Sequence, residues 1–308
     1  MKIGFIGLGK MGQALVWHLL EQKVDIVLYN RTREKMDQFL KEFQSESIKH
    51  DEYGELILSY DYKTFMSELE TPRIIWIMVE HGSAVDEVID NLIISDIKSD
   101  DIIIDGGNSF YKDSIKRYQK LKKMGVGFLD IGTSGGIEGA RNGACLMVGG
   151  EKEIFERVKP ILKMLAVAGG LTYFGETGSG HFVKMVHNGV EYGMLQALGE
   201  GFEILFNKAN KVDLRAVAAN WKNGSVVRGW LIELLERALS TDPQLRNVSG
   251  TVGGGSTGEW TIETARELGV DVPVIESSLQ ARKMSKKKET FSGKVVSALR
   301  KEFGGHPT

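Results

Sequence analysis

A single cysteine, Cys145, stands among 308 residues; it excludes an internal disulfide and fits a reducing compartment. No apolar run approaches the ~18 residues that a membrane-spanning helix requires. The N-terminus lacks the basic segment, apolar stretch and cleavage site of a secretory leader, and reads instead as a strand. An excess of one charge sign is missing too. The formal net charge is −2, so there is no global basic field to attract nucleic acid. Together these absences predict a cytoplasmic protein whose partners include neither membrane nor nucleic acid. Glycine, by contrast, is abundant: 37 of 308 residues, about 12%, against a typical ~7%. Tight turns and close backbone approach to a ligand would require that.

Up to about residue 175, short β-branched runs alternate with amphipathic segments. Strands are expected at Lys2–Ile6, Ile26–Tyr29, Ile74–Val79, Ile102–Asp105, Gly127–Ile131, Cys145–Val148 and Leu171–Phe174, with helices such as Met11–Gln22 and Lys152–Leu165 between them. This rhythm predicts a Rossmann-like α/β fold, a doubly wound and mostly parallel sheet with helices on both faces. The polar 45–63 region reads as an irregular surface elaboration. Strand signals cease after the glycine-rich segment Gly175-Glu176-Thr177-Gly178-Ser179-Gly180. Helical patterns follow at 180–208, 213–220, 225–239, 258–268 and 273–288, predicting an all-α C-terminal domain. The expected division is therefore 1–177 and 178–308.

The first strand runs into Gly7-Leu8-Gly9-Lys10-Met11-Gly12 and then into a helix. A lone GxGxxG is weak, but strand, glycine loop and helix in this order are what dinucleotide binding needs. Gly7 permits the turn, Gly9 admits a pyrophosphate against backbone, and Gly12 lets helix and strand pack closely, while the helix N-terminus faces the anion. At the end of the second strand, NAD sites usually place a carboxylate for the ribose 2′-hydroxyl. Here Asn30-Arg31-Thr32-Arg33 stands instead. Two guanidiniums without a repelling carboxylate favour NADP, without excluding NAD.

The most informative stretch is 181–192. Lys184, His187, Asn188 and Glu191 recur at i, i+3, i+4 and i+7, so one helical stripe carries an amine, an imidazole, an amide and a carboxylate. Val183, Met185, Val186, Val190 and Met194 surround that stripe, and Leu195 and Leu198 prolong it. A solvated face would stay polar along its length, so the four groups are expected in a mostly buried place, where they must be paired or used. A satisfied polar network between packed helices is the bland alternative. Two further loops, Asp105-Gly106-Gly107-Asn108-Ser109 and Gly132-Thr133-Ser134-Gly135-Gly136, each follow a strand, where this fold places its ligand crevice.

Taken together, GLGKMG at 7–12, NRT at 30–32, DGGNS at 105–109, SGG at 134–136 and GHFVKMVHNGVEYG at 180–193 closely resemble the decarboxylating 6-phosphogluconate dehydrogenases. Ala281-Arg282 and Arg300-Lys-Glu-Phe-Gly-Gly-His306 resemble the family's substrate-binding arginine and its terminal R…FGxH element. At this length the chain is similar to the family's short form. The resemblance implies NADP-dependent oxidation of 6-phosphogluconate at C3 and release of CO2 to give ribulose 5-phosphate, as in the pentose phosphate pathway and gluconate utilization. It implies that Lys184 is the base and Glu191 the acid, with no metal. Asn108, Ser134, Gly135, Gly136, His187, Asn188, Tyr192, Thr261, Arg282, Arg300 and His306 would bind substrate. Gly7, Leu8, Gly9, Lys10, Met11, Gly12, Asn30, Arg31, Thr32, Val79, Glu80, His81 and Asn108 would line the cofactor. Arg300 and His306 would enter a neighbouring subunit's site, making the protein a homodimer or homotetramer with shared sites.

The match departs at two places. Val79-Glu80-His81 differs from the usual family residues. Before Trp260-Thr261 the family has a basic residue, and here Glu259 stands. A carboxylate beside a phosphate is repulsive. Glu259 therefore points away, a lysine substitutes, or the substrate is unphosphorylated. Residues 282–301 carry eight cationic side chains against one carboxylate, Glu289, and the 286–288 lysines read as a solvated face. Two alternatives remain at this stage. One is a β-hydroxyacid dehydrogenase of the 3-hydroxyisobutyrate or gluconate-like type, from which Glu191 separates this chain because only decarboxylation leaves a carbon to protonate. The other is a catalytically silent NADP-binding regulator, against which an intact Lys184, His187 and Glu191 argue.

Overall fold

Alternation of side chains in the apolar runs determines the sheet. In β1 (Lys2–Ile6), Ile3 and Phe5 face one layer and Ile6 the other. In β4 (Ile74–Ile77) and β5 (Ile102–Asp105), Trp76, Ile102 and Ile104 join the first layer, and Ile75, Ile77 and Ile103 the second. Strands apolar on both sides are satisfied only between two helical layers. The computed structural model, which describes residues 1–47, 53–208 and 212–306, shows that arrangement.

With β2 (Asp25–Tyr29), β3 (Leu56–Leu58), β6 (Gly127–Ser134), β7 (Ala144–Gly150) and β8 (Ala166–Gly175), the sheet runs β3-β2-β1-β4-β5-β6-β7-β8. All neighbours are parallel except β6 and β7, which pair antiparallel. The first six strands follow the Rossmann order. One face is covered by α1 (Lys10–Glu21), α2 (Arg33–Ser47), α6 (Gly136–Asn142) and α7 (Lys152–Leu165), the other by α3 (Tyr62–Ser67), α4 (Ser83–Ile94) and α5 (Tyr111–Lys122).

The 45–63 region is more regular than its polarity suggests. It holds β3 and the start of α3; residues 48–52 lie outside the described residues. Only three residues long and at the sheet edge, β3 is pinned by the Glu55 amide donating to Asp25 Oδ1 at 2.8 Å, a cross-strand contact that periodicity does not reveal. β4 stops at Ile77, short of the expected Val79. The Met78 amide makes the last bond to β1, at the Ile6 carbonyl, and the chain then turns.

After the sheet comes α8 (Ser179–Asn207), followed by α9 (Leu214–Trp221), α10 (Trp230–Thr241), α11 (Ser256–Glu267), α12 (Pro273–Ser285) and α13 (Phe291–Gly304). The chain forms two compact units, Met1–Lys184 and Met185–Thr308, so the division falls inside α8. The helical unit has its own core, with Leu195 and Phe202 of α8 packed among Leu234, Leu235, Leu239, Val295 and Leu299. α13 was hidden by the basic composition around it. Its start is set by Thr290, whose Oγ1 accepts the Gly293 amide at 3.0 Å. No helix among the described residues is long and apolar enough to cross a membrane.

The apolar surface of α8 is not all internal. Leu195 is fully buried, but Val186, Val190 and Met194, at four-residue spacing, are exposed, as is Ile204 nearly three turns further along. Within the chain this helix is therefore buried on one side only.

Candidate active site

In the first unit the glycine loop is shaped by its neighbours. Gly7 has φ +111, and a Cβ there would lie 2.3 Å from the Met78 carbonyl oxygen; a Cβ on Gly12 would meet the Gly7 carbonyl at 2.2 Å. Only glycine fits either position. Around Gly9 nothing lies within 4 Å of such a Cβ. α1 opens without a side-chain cap and without an acidic residue in its first turn, so its N–H groups point at that open space uncompensated. The cradle fits a pyrophosphate.

Asn30 does more than leave room for a 2′-phosphate. Its Oδ1 accepts the Leu8 amide at 2.9 Å and its Nδ2 donates to the Thr32 carbonyl at 2.9 Å, tying the glycine loop to the end of β2. Arg31, Thr32 and Arg33 are exposed. The Arg33 guanidinium lies 5.6 Å from the Tyr60 ring centre, and the Tyr60 hydroxyl donates to Asp37 at 2.6 Å. That hydrogen bond raises the Tyr60 pKa.

Val79 approaches the glycine loop, its Cγ1 lying 3.0 Å from a Cβ built on Gly7, and its carbonyl stands equally close to one built on Gly107. The loops after β1, β4 and β5 therefore converge. Val79 and His81 are half-buried there, while Glu80 and Asn108 are exposed. Ser134 ends β6, and Gly135 and Gly136 open α6, all half-buried. β6 also supports Lys184. A Cβ on Gly132 would lie 2.3 Å from the Lys184 Cβ, so the lysine stem packs on bare backbone. Lys184 is 9% exposed.

Four buried groups of this unit were not singled out from sequence. Asp130, fully buried, accepts the Gly178 and His181 amides at 2.7 and 2.8 Å and so caps α8. His181 Nδ1 meets the Ser114 hydroxyl at 2.7 Å. Arg117 is ion-paired to the buried Asp105 at 3.2 Å. A charge in the middle of the apolar strand Phe128-Leu129-Asp130-Ile131 was the available signal for Asp130. Arg117 gave none, because Lys116-Arg117-Tyr118-Gln119-Lys120 looks like a solvated face.

In the second unit, α8 carries His187, Asn188 and Glu191, all half-buried, with His187 Nδ1 3.1 Å from Asn188 Oδ1. Tyr192 is held between two partners. A Cβ on Gly258 would lie 2.6 Å from its ring, and on its face the Arg282 guanidinium stands 3.6 Å from the ring centre. Thr261 is buried and donates to the Met185 and Thr257 carbonyls, locking α11 onto α8. Arg282 Nη1 and Arg300 Nη2 lie 3.9 and 3.3 Å from one point beside Gly254, so the two guanidiniums converge. Burial lowers both arginine pKa values. Repulsion from Arg300 lowers that of Arg282 further, while Tyr192 and Glu191 oppose the shift at both. No ion pair joins either arginine to a carboxylate among the described residues. Two converging guanidiniums, one buried and one half-buried, are an arrangement that suits an anion.

Arg300 reaches Arg282 and Tyr192 within its own chain. α13 packs in the core of its own unit and directs Arg300 at the Gly253-Gly254-Gly255 loop of the same chain. His306 is exposed, its ring 6.4 Å from that of Phe303 and against Gly304. Glu259 is paired to Lys283 at 2.8 Å, both about half-exposed. The pair borders a cleft of about 600 Å³ with Ile262, Glu263, Arg266 and Glu276 on the outer side of α11 and α12. Glu259 is one residue from Gly258, which faces Tyr192, and so points elsewhere. Of the three ways to accommodate Glu259, the structure shows its carboxylate turned outward and neutralised.

The sheet order and the glycine cradle define an NAD(P)-binding fold joined to a helical unit. Residues 2–175 match the family described as the NAD binding domain of 6-phosphogluconate dehydrogenase, and residues 180–303 match the 6-phosphogluconate dehydrogenase C-terminal domain. The chain belongs to the 6-phosphogluconate dehydrogenase family and is an oxidoreductase of that family. It is 46% identical to the Bacillus subtilis protein named "Putative 6-phosphogluconate dehydrogenase YqeC", covering 100% of this chain and 99% of that one. It is 38% identical to the NAD(+)-dependent, decarboxylating 6-phosphogluconate dehydrogenase of Haloferax volcanii, covering 99% and 98%. Among solved structures, the Plasmodium falciparum 6-phosphogluconate dehydrogenase, studied with NADP+ and with 6-phosphogluconate, is 34% identical with a TM-score of 0.83. The match covers 94% of this chain and 62% of that one.

Proposed function

We propose that this protein catalyses the oxidative decarboxylation of 6-phosphogluconate to ribulose 5-phosphate and CO2, with NADP as the preferred acceptor. The observation that carries this reading is the convergence of buried Arg282 and half-buried Arg300 beside Tyr192, an arrangement suited to a phosphate. Gly7, Leu8, Gly9, Lys10, Met11 and Gly12 would hold the pyrophosphate of the cofactor and Asn30, Arg31 and Thr32 its 2′-phosphate. Val79, Glu80, His81 and Asn108 would stand toward its nicotinamide. When bound, NADP supplies the hydride acceptor.

Lys184, low in exposure and packed on β6, takes the C3 hydroxyl proton as the C3 hydrogen leaves with its electron pair. The resulting ammonium gives its proton to the 3-keto oxygen as the C1–C2 bond breaks and CO2 departs, leaving an enediol. Glu191, as the acid, donates a proton to the former C2, which becomes C1 of the product, and Lys184 takes the enediol proton back. His187 and Asn188, Asn108, and the Ser134-Gly135-Gly136 segment orient the carboxylate and hydroxyls. Tyr192, Thr261, Arg282, Arg300 and His306 hold the phosphate end.

A second copy of this chain covers the exposed stripe of Val186, Val190, Met194 and Ile204 in this reading, giving a homodimer or homotetramer. The lone Cys145 suits a cytoplasmic setting. The test is a steady-state assay of 6-phosphogluconate, gluconate and 3-hydroxyisobutyrate with NADP and with NAD. Preference for 6-phosphogluconate with NADP supports the proposal. Turnover of 3-hydroxyisobutyrate alone, or of none of the three, overturns it.

A further inference from the structure

The motifs leave α5 without a role, yet its buried face holds Ser114 and Arg117 one turn apart, 0% and 4% exposed. Arg117 directs Nε, Nη1 and Nη2 at two segments, the start of α4 and the end of β5. Its Nη2 donates to the Gly82 carbonyl at 2.9 Å and its Nε to Asp86 at 2.7 Å, both beyond the end of β4. Its Nη1 donates to Asp105 at 3.2 Å and to Ser109 Oγ at 3.3 Å, both at the end of β5. Asp105 is fully buried and also accepts the Gly107 amide and the Ser109 hydroxyl, at 3.2 and 2.8 Å. These segments frame Val79, Glu80, His81 and Asn108. Ser114 meets His181 Nδ1, and His181 lies one turn before Lys184 on the helix capped by Asp130.

We propose that α5 is the positioning element of the reaction, with Arg117 fixing the loops that face the nicotinamide and Ser114 fixing the first turn of the helix that bears Lys184. This rests on the functional reading above for the roles of those loops and of Lys184. A buried arginine–carboxylate pair adds little net stability, because desolvation offsets its attraction. What it does provide is geometry: the planar fork addresses several acceptors at fixed angles, which a lysine point charge does not. An error of about 1 Å at a reacting centre costs about a hundredfold in rate.

The experiment compares Arg117→Gln, Arg117→Lys, Ser114→Ala and the exposed control Lys116→Ala. Melting temperature, NADPH affinity by fluorescence, and kcat and KM for both substrates are measured on each folded variant. Arg117→Gln is expected to weaken NADPH binding about tenfold and to lower kcat about a hundredfold. Arg117→Lys is expected to restore much of the affinity and little of kcat. Ser114→Ala is expected to lower kcat about tenfold with NADPH affinity unchanged. That split between the two sites is what a merely structural role would not produce. Variants that melt earlier but keep kcat and both KM values within about twofold overturn the proposal.

If wild type turns over no sugar acid, the functional reading fails instead, and two arms still decide the inference. NADPH affinity then reads Arg117. Hydrogen exchange of residues 178–184 reads Ser114, where protection lost in Ser114→Ala supports the proposal and unchanged protection overturns it.

Discussion

Replacing Arg282 by methionine removes one charge of the anion site and keeps the length of the stem. Arg282 is 5% exposed, and its guanidinium lies 3.6 Å from the Tyr192 ring centre. Hydrogen bonds to a charged group contribute about 1.5–3 kcal/mol, so apparent affinity for 6-phosphogluconate should fall about ten- to hundredfold, at 1.4 kcal/mol per tenfold. Gluconate, lacking the phosphate, should lose less than about threefold by the same reasoning. Stability should hardly move. The lost cation–π contact is worth about 0.5–2 kcal/mol, and removing a buried cation beside Arg300 offsets it. The assay is kcat/KM for both sugar acids, with a thermal melt and an NADPH titration on the same sample. Equal losses for the two substrates, or a 6-phosphogluconate KM unchanged within about threefold, would refute the assignment of this pair to the phosphate.

Lys184→Met should lower turnover by at least about a hundredfold while NADPH affinity stays within about twofold; retained activity in steady-state assay removes Lys184 as the base. Glu191→Gln should slow formation of ribulose 5-phosphate more than the first burst of NADPH in a stopped-flow trace, and equal slowing of both would assign Glu191 elsewhere. Asn30→Ala frees the Leu8 amide and should weaken NADP binding about tenfold, the cost of about 1–3 kcal/mol for an unsatisfied donor; a titration showing NAD and NADP equally unaffected contradicts that. Glu259→Ala, breaking an exposed pair, should change KM for 6-phosphogluconate by less than about fivefold. A larger effect would place Glu259 at the substrate.

Much of the sheet could be read from short, continuous apolar runs set between amphipathic segments, because β1, β4 and β5 are apolar on both faces. β3 and α13 could not. Three edge residues carry no periodic signal, and the helix from Phe291 sits in a run whose lysines obscure its buried Val295, Val296 and Leu299. The glycine loop was legible because steric exclusion, as at Gly7 and Gly12, leaves one residue type. The α8 stripe was legible because helical spacing brings its polar groups to one side. Arg117, Ser114 and His181 were not, since their partners lie across the fold, 35 and 67 residues away in the case of Gly82 and Ser114.

The most direct measurement supplies carboxyl-labelled 6-phosphogluconate and NADP and follows labelled CO2 and NADPH together. The account predicts equal molar amounts of both, with ribulose 5-phosphate formed in step. NADPH formed without labelled CO2 would show that C3 oxidation is not coupled to loss of C1, and would contradict the proposed roles of Lys184 and Glu191.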